Sequence, residues 1–67
     1  MNITFVRSQY GSRNFVFDGA KKIGYVESNI DGGCWFQRLP EYGGQAPSRI
    51  WFENLDEVRE AIELKRL

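Results

Sequence analysis

The sequence predicts an α+β fold, an antiparallel β meander of four to five strands with one C-terminal amphipathic helix packed on one face. Short runs of β-branched and aromatic residues alternate with Gly-containing turn clusters over most of the chain. After Asn54, apolar residues recur at spacings of three and four, which is typical of one face of a helix. Because one helix covers only one side of a sheet, we expect the other side to be partly exposed.

Five segments have the composition of strands, and turn signals separate them. The segments are residues 3–7, 14–17, 22–27, 34–39 and 49–52. Asp18-Gly19 between the second and third segments is a hairpin signal. Four large side chains are expected on one side of that hairpin: Phe15, Phe17, Ile23 and Tyr25. Residues 29–33 form a second turn cluster, and residues 40–48 form the longest loop.

The helix has recognisable signals at both ends. Asn54 is a good N-cap, and Glu57 three residues later completes a capping-box pattern. Acidic residues follow the cap, while Lys65 and Arg66 fall in the last turn, which suits the helix dipole. The apolar face contains four residues: Leu55, Val58, Ala61 and Ile62.

The composition excludes several classes of function. The 67 residues suffice for one domain, spanning 1–67, and contain one cysteine and no histidine. Cys34 therefore has no intrachain disulfide partner and no histidine to activate it, and we expect it to be a small buried hydrophobe. We expect no catalytic residues, no metal site and no cofactor. The unpaired cysteine and the lack of a signal peptide or membrane-spanning run predict a soluble cytoplasmic protein.

The formal net charge of zero conceals a polarised distribution. Residues 1–26 contain four basic side chains and one acidic, a balance of +3, and residues 27–67 have a balance of −3. Five carboxylates follow one side of the predicted helix: Glu53, Asp56, Glu57, Glu60 and Glu63. They are either the solvated outer face of an amphipathic helix or an acidic stripe that docks on a basic groove, imitating the phosphates of a nucleic acid.

Aromatic residues define a second candidate surface. If Phe36 and Phe52 face the helix, strand alternation places Trp35 and Trp51 on the exposed face of the sheet. There they would anchor a partner, together with Tyr42 of the long loop. Alternatively, the two tryptophans pack under the loop as a minor core.

The segment Arg49-Ile50-Trp51-Phe52-Glu53-Asn54-Leu55-Asp56-Glu57 resembles the strand-to-helix junction of a family of DNA-binding domains. These are the three-stranded-sheet-plus-helix domains of phage integrase arms and plant AP2-type factors. In that family the sheet enters the major groove. The resemblance implies nucleic-acid contacts by five basic residues: Arg13, Lys21, Lys22, Arg38 and Arg49.

In its small size, its richness in aromatic residues and its lack of histidine, the chain also resembles small accessory proteins of phages and mobile elements, including host-takeover and anti-CRISPR proteins. Our leading hypothesis is a non-enzymatic protein-binding module. The resemblance to phage accessory proteins implies that such a module would inhibit a host defence or nucleic-acid-handling complex. The alternative is a small DNA- or RNA-binding domain that uses the exposed sheet face. A third hypothesis is dimerisation through an exposed strand edge, and we expect a monomer or a small homo-oligomer with no membrane partner.

Overall fold

Within the described residues, five antiparallel strands precede a single helix. The elements are β1 (Ile3–Arg7), β2 (Arg13–Asp18), β3 (Lys21–Ser28), β4 (Cys34–Arg38), β5 (Ile50–Phe52) and α1 (Leu55–Glu63). The computed structural model describes residues 2–9, 11–40 and 49–64. Each strand pairs with the next in sequence, so the sheet order is β1-β2-β3-β4-β5. The predicted α+β meander with a C-terminal helix is therefore the observed fold.

Glycine-containing turns join the central strands. Asp18 pairs with Lys21, so the β2–β3 loop is Gly19-Ala20, and Gly19 has a φ of 61°. In the β3–β4 turn, the N–H of Asn29 donates to the carbonyl of Gly33 at 3.1 Å, and Gly33 has a φ of 75°. Both glycines adopt the left-handed region that side chains with a Cβ disfavour. Residues 41–48 of the predicted long loop lie outside the described residues.

The hydrophobic core lies between α1 and one face of the sheet. Its three fully buried side chains come from three elements: Val16 of β2, Val26 of β3 and Val58 of α1. The other buried members of this cluster are Ile3, Cys34, Phe36 and Ile62. Alternate residues of the strands point to this face, as the period of two requires, with an exception at one irregularity in β3. The burial of these side chains fixes which face of the sheet the helix covers.

A β-bulge in β3 changes the side predicted for one residue. Val16 pairs with Gly24, but Phe17 pairs with Lys22, so Ile23 is an extra residue on β3. The bulge interrupts the alternation of β3, and Ile23 packs against the core. The prediction that Ile23 shares a side with Phe15 and Phe17 is therefore wrong. A bulge depends on pairing with the neighbouring strand, which residue composition does not reveal.

The helix begins as the sequence predicts, with one difference in the capping box. The side chain of Asn54 accepts a hydrogen bond from the N–H of Glu57 at 2.9 Å. The Glu57 carboxylate accepts in return from the N–H of Glu53, also at 2.9 Å, one residue before the cap. Two backbone donors at the helix start are thus satisfied. Lys65 and Arg66 lie outside the described residues.

In the part of the chain that the structure describes, no helix combines the length and the apolar character that crossing a membrane requires.

Gly24 is the position where the sheet has no room for a side chain. A Cβ on Gly24 would lie 2.5 Å from the carbonyl oxygen of Gln37 and 3.0 Å from the ring of Phe36. We expect Gly24→Ala to lower the free energy of unfolding by about 1–3 kcal/mol, because the backbone of β4 must move to admit the methyl group. Thr4→Ala, at an exposed strand position, should change it by less than about 0.5 kcal/mol. Urea denaturation measures both values, and equal effects would contradict the steric argument.

Candidate interaction surfaces

The face of the sheet opposite α1 is not covered by any described element. We call it the open face. The strand registers place eleven side chains on it: Thr4, Val6, Arg13, Phe15, Phe17, Lys22, Tyr25, Glu27, Trp35, Gln37 and Trp51. An uncovered antiparallel face is ordinarily polar. The open face instead has five aromatic side chains at its centre, which an ordinary solvated surface lacks.

The two tryptophans lie where strand alternation predicts. Trp35 of β4 and Trp51 of β5 are directly opposite each other on the open face. Phe36 is buried on the core face, and Phe52 packs against the core. Trp35 is half-buried, whereas Trp51 is 48% exposed. The alternative, in which the two tryptophans pack under the long loop, concerns residues 41–48, which lie outside the described part of the chain. Tyr42 is one of these residues.

The exposed indole of Trp51 rests on backbone. A Cβ on Gly33 would overlap the Trp51 ring, so the indole lies directly against the Gly33 main chain. Ile30, in the same β3–β4 turn, is 97% exposed. The turn therefore supports the Trp51 ring at Gly33 and presents the aliphatic side chain of Ile30 three residues before that glycine. This end of the molecule combines two of its exposed large apolar residues.

Cationic side chains cover two of the other aromatic rings. The guanidinium carbon of Arg13 lies 4.0 Å from the centroid of the Tyr25 ring. The ammonium nitrogen of Lys22 lies 4.0 Å from the centroid of Phe15. Both distances are within the range of cation–π attraction. The long stems of these side chains also shield apolar ring surface while their charges stay in contact with water.

Glu27 connects two arginines at the centre of the open face. Its Oε1 accepts from Nε of Arg13 at 3.1 Å and also pairs with Nη2 of the same residue. Its Oε2 lies 3.9 Å from Nη1 of Arg49. The Arg49 guanidinium in turn lies 5.4 Å from the centroid of Trp35. One carboxylate thus joins two cations, each of which lies over an aromatic ring.

Sequence reasoning did not single out Tyr25 or Glu27 as site residues. The alternation of β3 places the two on one face, but their contacts with Arg13 depend on the register between β2 and β3. Arg13 pairs with Glu27 across the strands, and Tyr25 is the next residue of β3 on that face. A single-strand pattern carries no information about such cross-strand neighbours.

Of the five basic residues implied by the DNA-binding resemblance, the structure brings three together on the open face. These are Arg13, Lys22 and Arg49, and with Glu27 they give this face a balance of +2. The other two lie elsewhere by register. Lys21 is opposite Asp18 beside the Gly19-Ala20 turn, and Arg38 is opposite Gly24, on the side of the core. A nucleic-acid surface containing all five is therefore not the observed arrangement.

The acidic side of the helix is exposed as predicted. We call it the acidic helix face, and its members are Glu53, Asp56, Glu57, Glu60 and Glu63. Val58, Ala61 and Ile62 are buried toward the sheet, so the acidic helix face points away from the open face. One of its carboxylates already has a structural role, since Glu57 caps the helix. The two predicted surfaces are thus separated by the full thickness of the protein.

Cys34 is a core residue, 5% exposed, at the start of β4. Burial, and then the nearby carboxylate of Glu57, raise the pKa of its thiol above the ordinary value. Both effects disfavour the thiolate, which is the reactive form of cysteine. The environment of Cys34 is therefore that of a structural thiol, as its place in the sequence predicts.

Comparison with protein-family models, with curated proteins and with solved structures finds no match for this chain. Within residues 2–9, 11–40 and 49–64, no group of three or more potential ligands from His, Cys, Asp and Glu is placed to hold a metal ion.

The raised thiol pKa has a consequence for stability at alkaline pH. The unfolded chain releases the Cys34 proton at a lower pH than the folded one, so the free energy of unfolding should fall as pH rises through the ordinary thiol pKa toward the raised value. Cys34→Ala removes this contribution. Urea denaturation at neutral and at alkaline pH should show a larger loss of stability in the wild type than in Cys34→Ala. Equal losses in the two proteins would contradict the proposed cause.

Proposed function

We propose that the chain is a non-enzymatic binding module that contacts a protein partner through the open face. The observation that carries the proposal is Trp51, an exposed indole held against Gly33 beside Trp35. Trp, Tyr and Arg are the residue types enriched where binding energy is concentrated in protein interfaces. The open face contains all three types within one connected group. Its strands hold these side chains in place before binding, which reduces the entropy lost on association.

A protein partner fits this surface better than a nucleic acid for three reasons. Base stacking needs bare ring faces, but cations already occupy one face of Tyr25 and one of Phe15. Phosphate binding needs unpaired cations, whereas Arg13 is paired with Glu27. The net charge of zero also lacks the basic excess of nucleic-acid-binding proteins. Nucleic-acid binding by the open face remains the second candidate, supported by its local balance of +2.

The acidic helix face has a separate place in this proposal. Since it points away from the open face, a partner seated on the tryptophans does not contact it unless the partner wraps around the molecule. We assign it to electrostatic steering, which speeds association with a basic region of the partner. A host defence or nucleic-acid-handling complex is the kind of partner that has such a basic region. The further proposal of a phage-encoded inhibitor depends on finding a partner of that kind.

Trp51 provides a direct test with a matched control. Ile50 is the next residue of β5 and is similarly exposed, at 44%, but it lies on the opposite side of the strand, across from Phe36. Nuclease-treated lysate of the source cells is passed over immobilised wild type, Trp51→Ala and Ile50→Ala. The amount of each protein captured through the open face should fall by about tenfold or more with Trp51→Ala and should not change with Ile50→Ala. Equal capture by all three would dispose of the open face as the protein-binding surface.

Intrinsic fluorescence separates the two candidate functions. Both tryptophans of the chain lie on the open face, so their emission reports on that face alone. Under the protein-binding proposal, single-stranded and duplex oligonucleotides at low salt should leave the emission unchanged. Quenching that weakens as salt rises, and that Lys22→Glu abolishes, would instead establish nucleic-acid binding.

The acidic helix face is tested by reversing its charge. Glu60→Lys with Glu63→Lys should slow association with a Trp51-dependent partner by about tenfold at low salt and have little effect at high salt. Neither carboxylate caps the helix, so the fold should be retained, and circular dichroism verifies this. An association rate that does not change at low salt would remove the helix face from the proposal.

A further inference from the structure

In the part of the chain that the structure describes, the outer edge of β1 has little of the protection that edge strands usually have. Among the described residues β1 has a hydrogen-bonded neighbour on one side only, because it is the first strand of the sheet. Natural edge strands are blunted by proline, lysine, bulges or very short length. The segment Ile3-Thr4-Phe5-Val6-Arg7 contains no proline and no lysine, its one charged residue is Arg7 at the end of the strand, and its register with β2 is regular throughout. The opposite edge, β5, has only three residues.

The hydrogen bonds at the two ends of β1 identify the groups that face outward. Ser8 N–H donates to the carbonyl of Arg13 at 2.9 Å, and Gly19 N–H donates to the carbonyl of Asn2 at 3.0 Å. Hydrogen-bonded residues alternate along an antiparallel strand. Because Asn2 and Ser8 bond toward β2, the residues that present their N–H and C=O groups outward are the odd-numbered ones: Ile3, Phe5 and Arg7.

These three residues are arranged symmetrically about Phe5. Two copies of β1 placed antiparallel edge to edge, with Phe5 opposite Phe5, bring Ile3 opposite Arg7 on both sides. All the outward N–H and C=O groups of the three residues then find partners. No like charges face each other, since Arg7 meets Ile3. Thr4 meets Val6 as the non-hydrogen-bonded pair, in which side chains approach most closely.

We infer that β1 is a homodimerisation edge that pairs with β1 of a second copy, antiparallel and centred on Phe5. The contact is isologous, so it closes with two copies and does not propagate. It joins the two sheets into one of ten strands with both helices on the same side. Paired residues of antiparallel strands point to the same side, so the two open faces become continuous. A five-residue edge buries less surface than a stable interface requires, so the dimer forms only at high protein concentration.

Charge substitutions at Thr4 and Val6 test this register. Both side chains are exposed, Val6 to 51%, and neither belongs to the core cluster, so the substitutions should leave the fold intact. Thr4→Lys with Val6→Lys would place lysines opposite each other twice in the dimer. Thr4→Glu with Val6→Lys would place opposite charges there instead. Sedimentation equilibrium over a concentration series, with circular dichroism to verify folding, measures the association of the wild type and the two double variants.

We expect a concentration-dependent dimer of the wild type, association weakened by about tenfold or more in Thr4→Lys/Val6→Lys, and recovery in Thr4→Glu/Val6→Lys. A wild type that stays monomeric at the highest concentrations would overturn the inference. A dimer that is equally stable in the lysine variant would place the interface elsewhere. Association lost in both double variants would overturn the register centred on Phe5.

Discussion

The packing of α1 on one face of the sheet is the contact on which the other features depend. Val58 of the helix is fully buried, as are Val16 and Val26 of the two central strands. Burying apolar surface of this kind is the dominant favourable term in folding. A domain of 67 residues has little other core to rely on. Once the helix occupies that face, the aromatic residues at the alternate strand positions must lie on the other, which no described element covers.

On the open face, charged side chains cover part of the aromatic surface that the helix does not bury. Arg13 covers Tyr25, Lys22 covers Phe15, and Glu27 holds Arg13 in position. The stems of the cationic side chains reduce the apolar area in contact with solvent, and their charges keep the surface hydrated. Trp51 has a backbone support in place of a cationic cover. The same arrangement therefore leaves Trp51 as a large aromatic side chain that is exposed and held in place by the main chain.

The layered architecture also separates charge. The acidic helix face and the weakly basic open face lie on opposite sides of the sheet, so the formal net charge of zero conceals two surfaces of opposite sign. The β1 edge lies between them, so pairing through it would enlarge the open face without covering either surface.

The sequence alone left the order of the strands in the sheet open, but it determined the fold class, the helix with its Asn54 cap and the shared face of Trp35 and Trp51. All of these follow from local composition and from the fixed periods of strands and helices, which a single segment carries. The tertiary structure alone decided that Ile23 joins the core, that Arg13 and Arg49 meet at Glu27, and that Lys21 and Arg38 lie apart from them. Those outcomes depend on the register between strands and on a bulge in β3, and register is a relation between segments that no single segment contains.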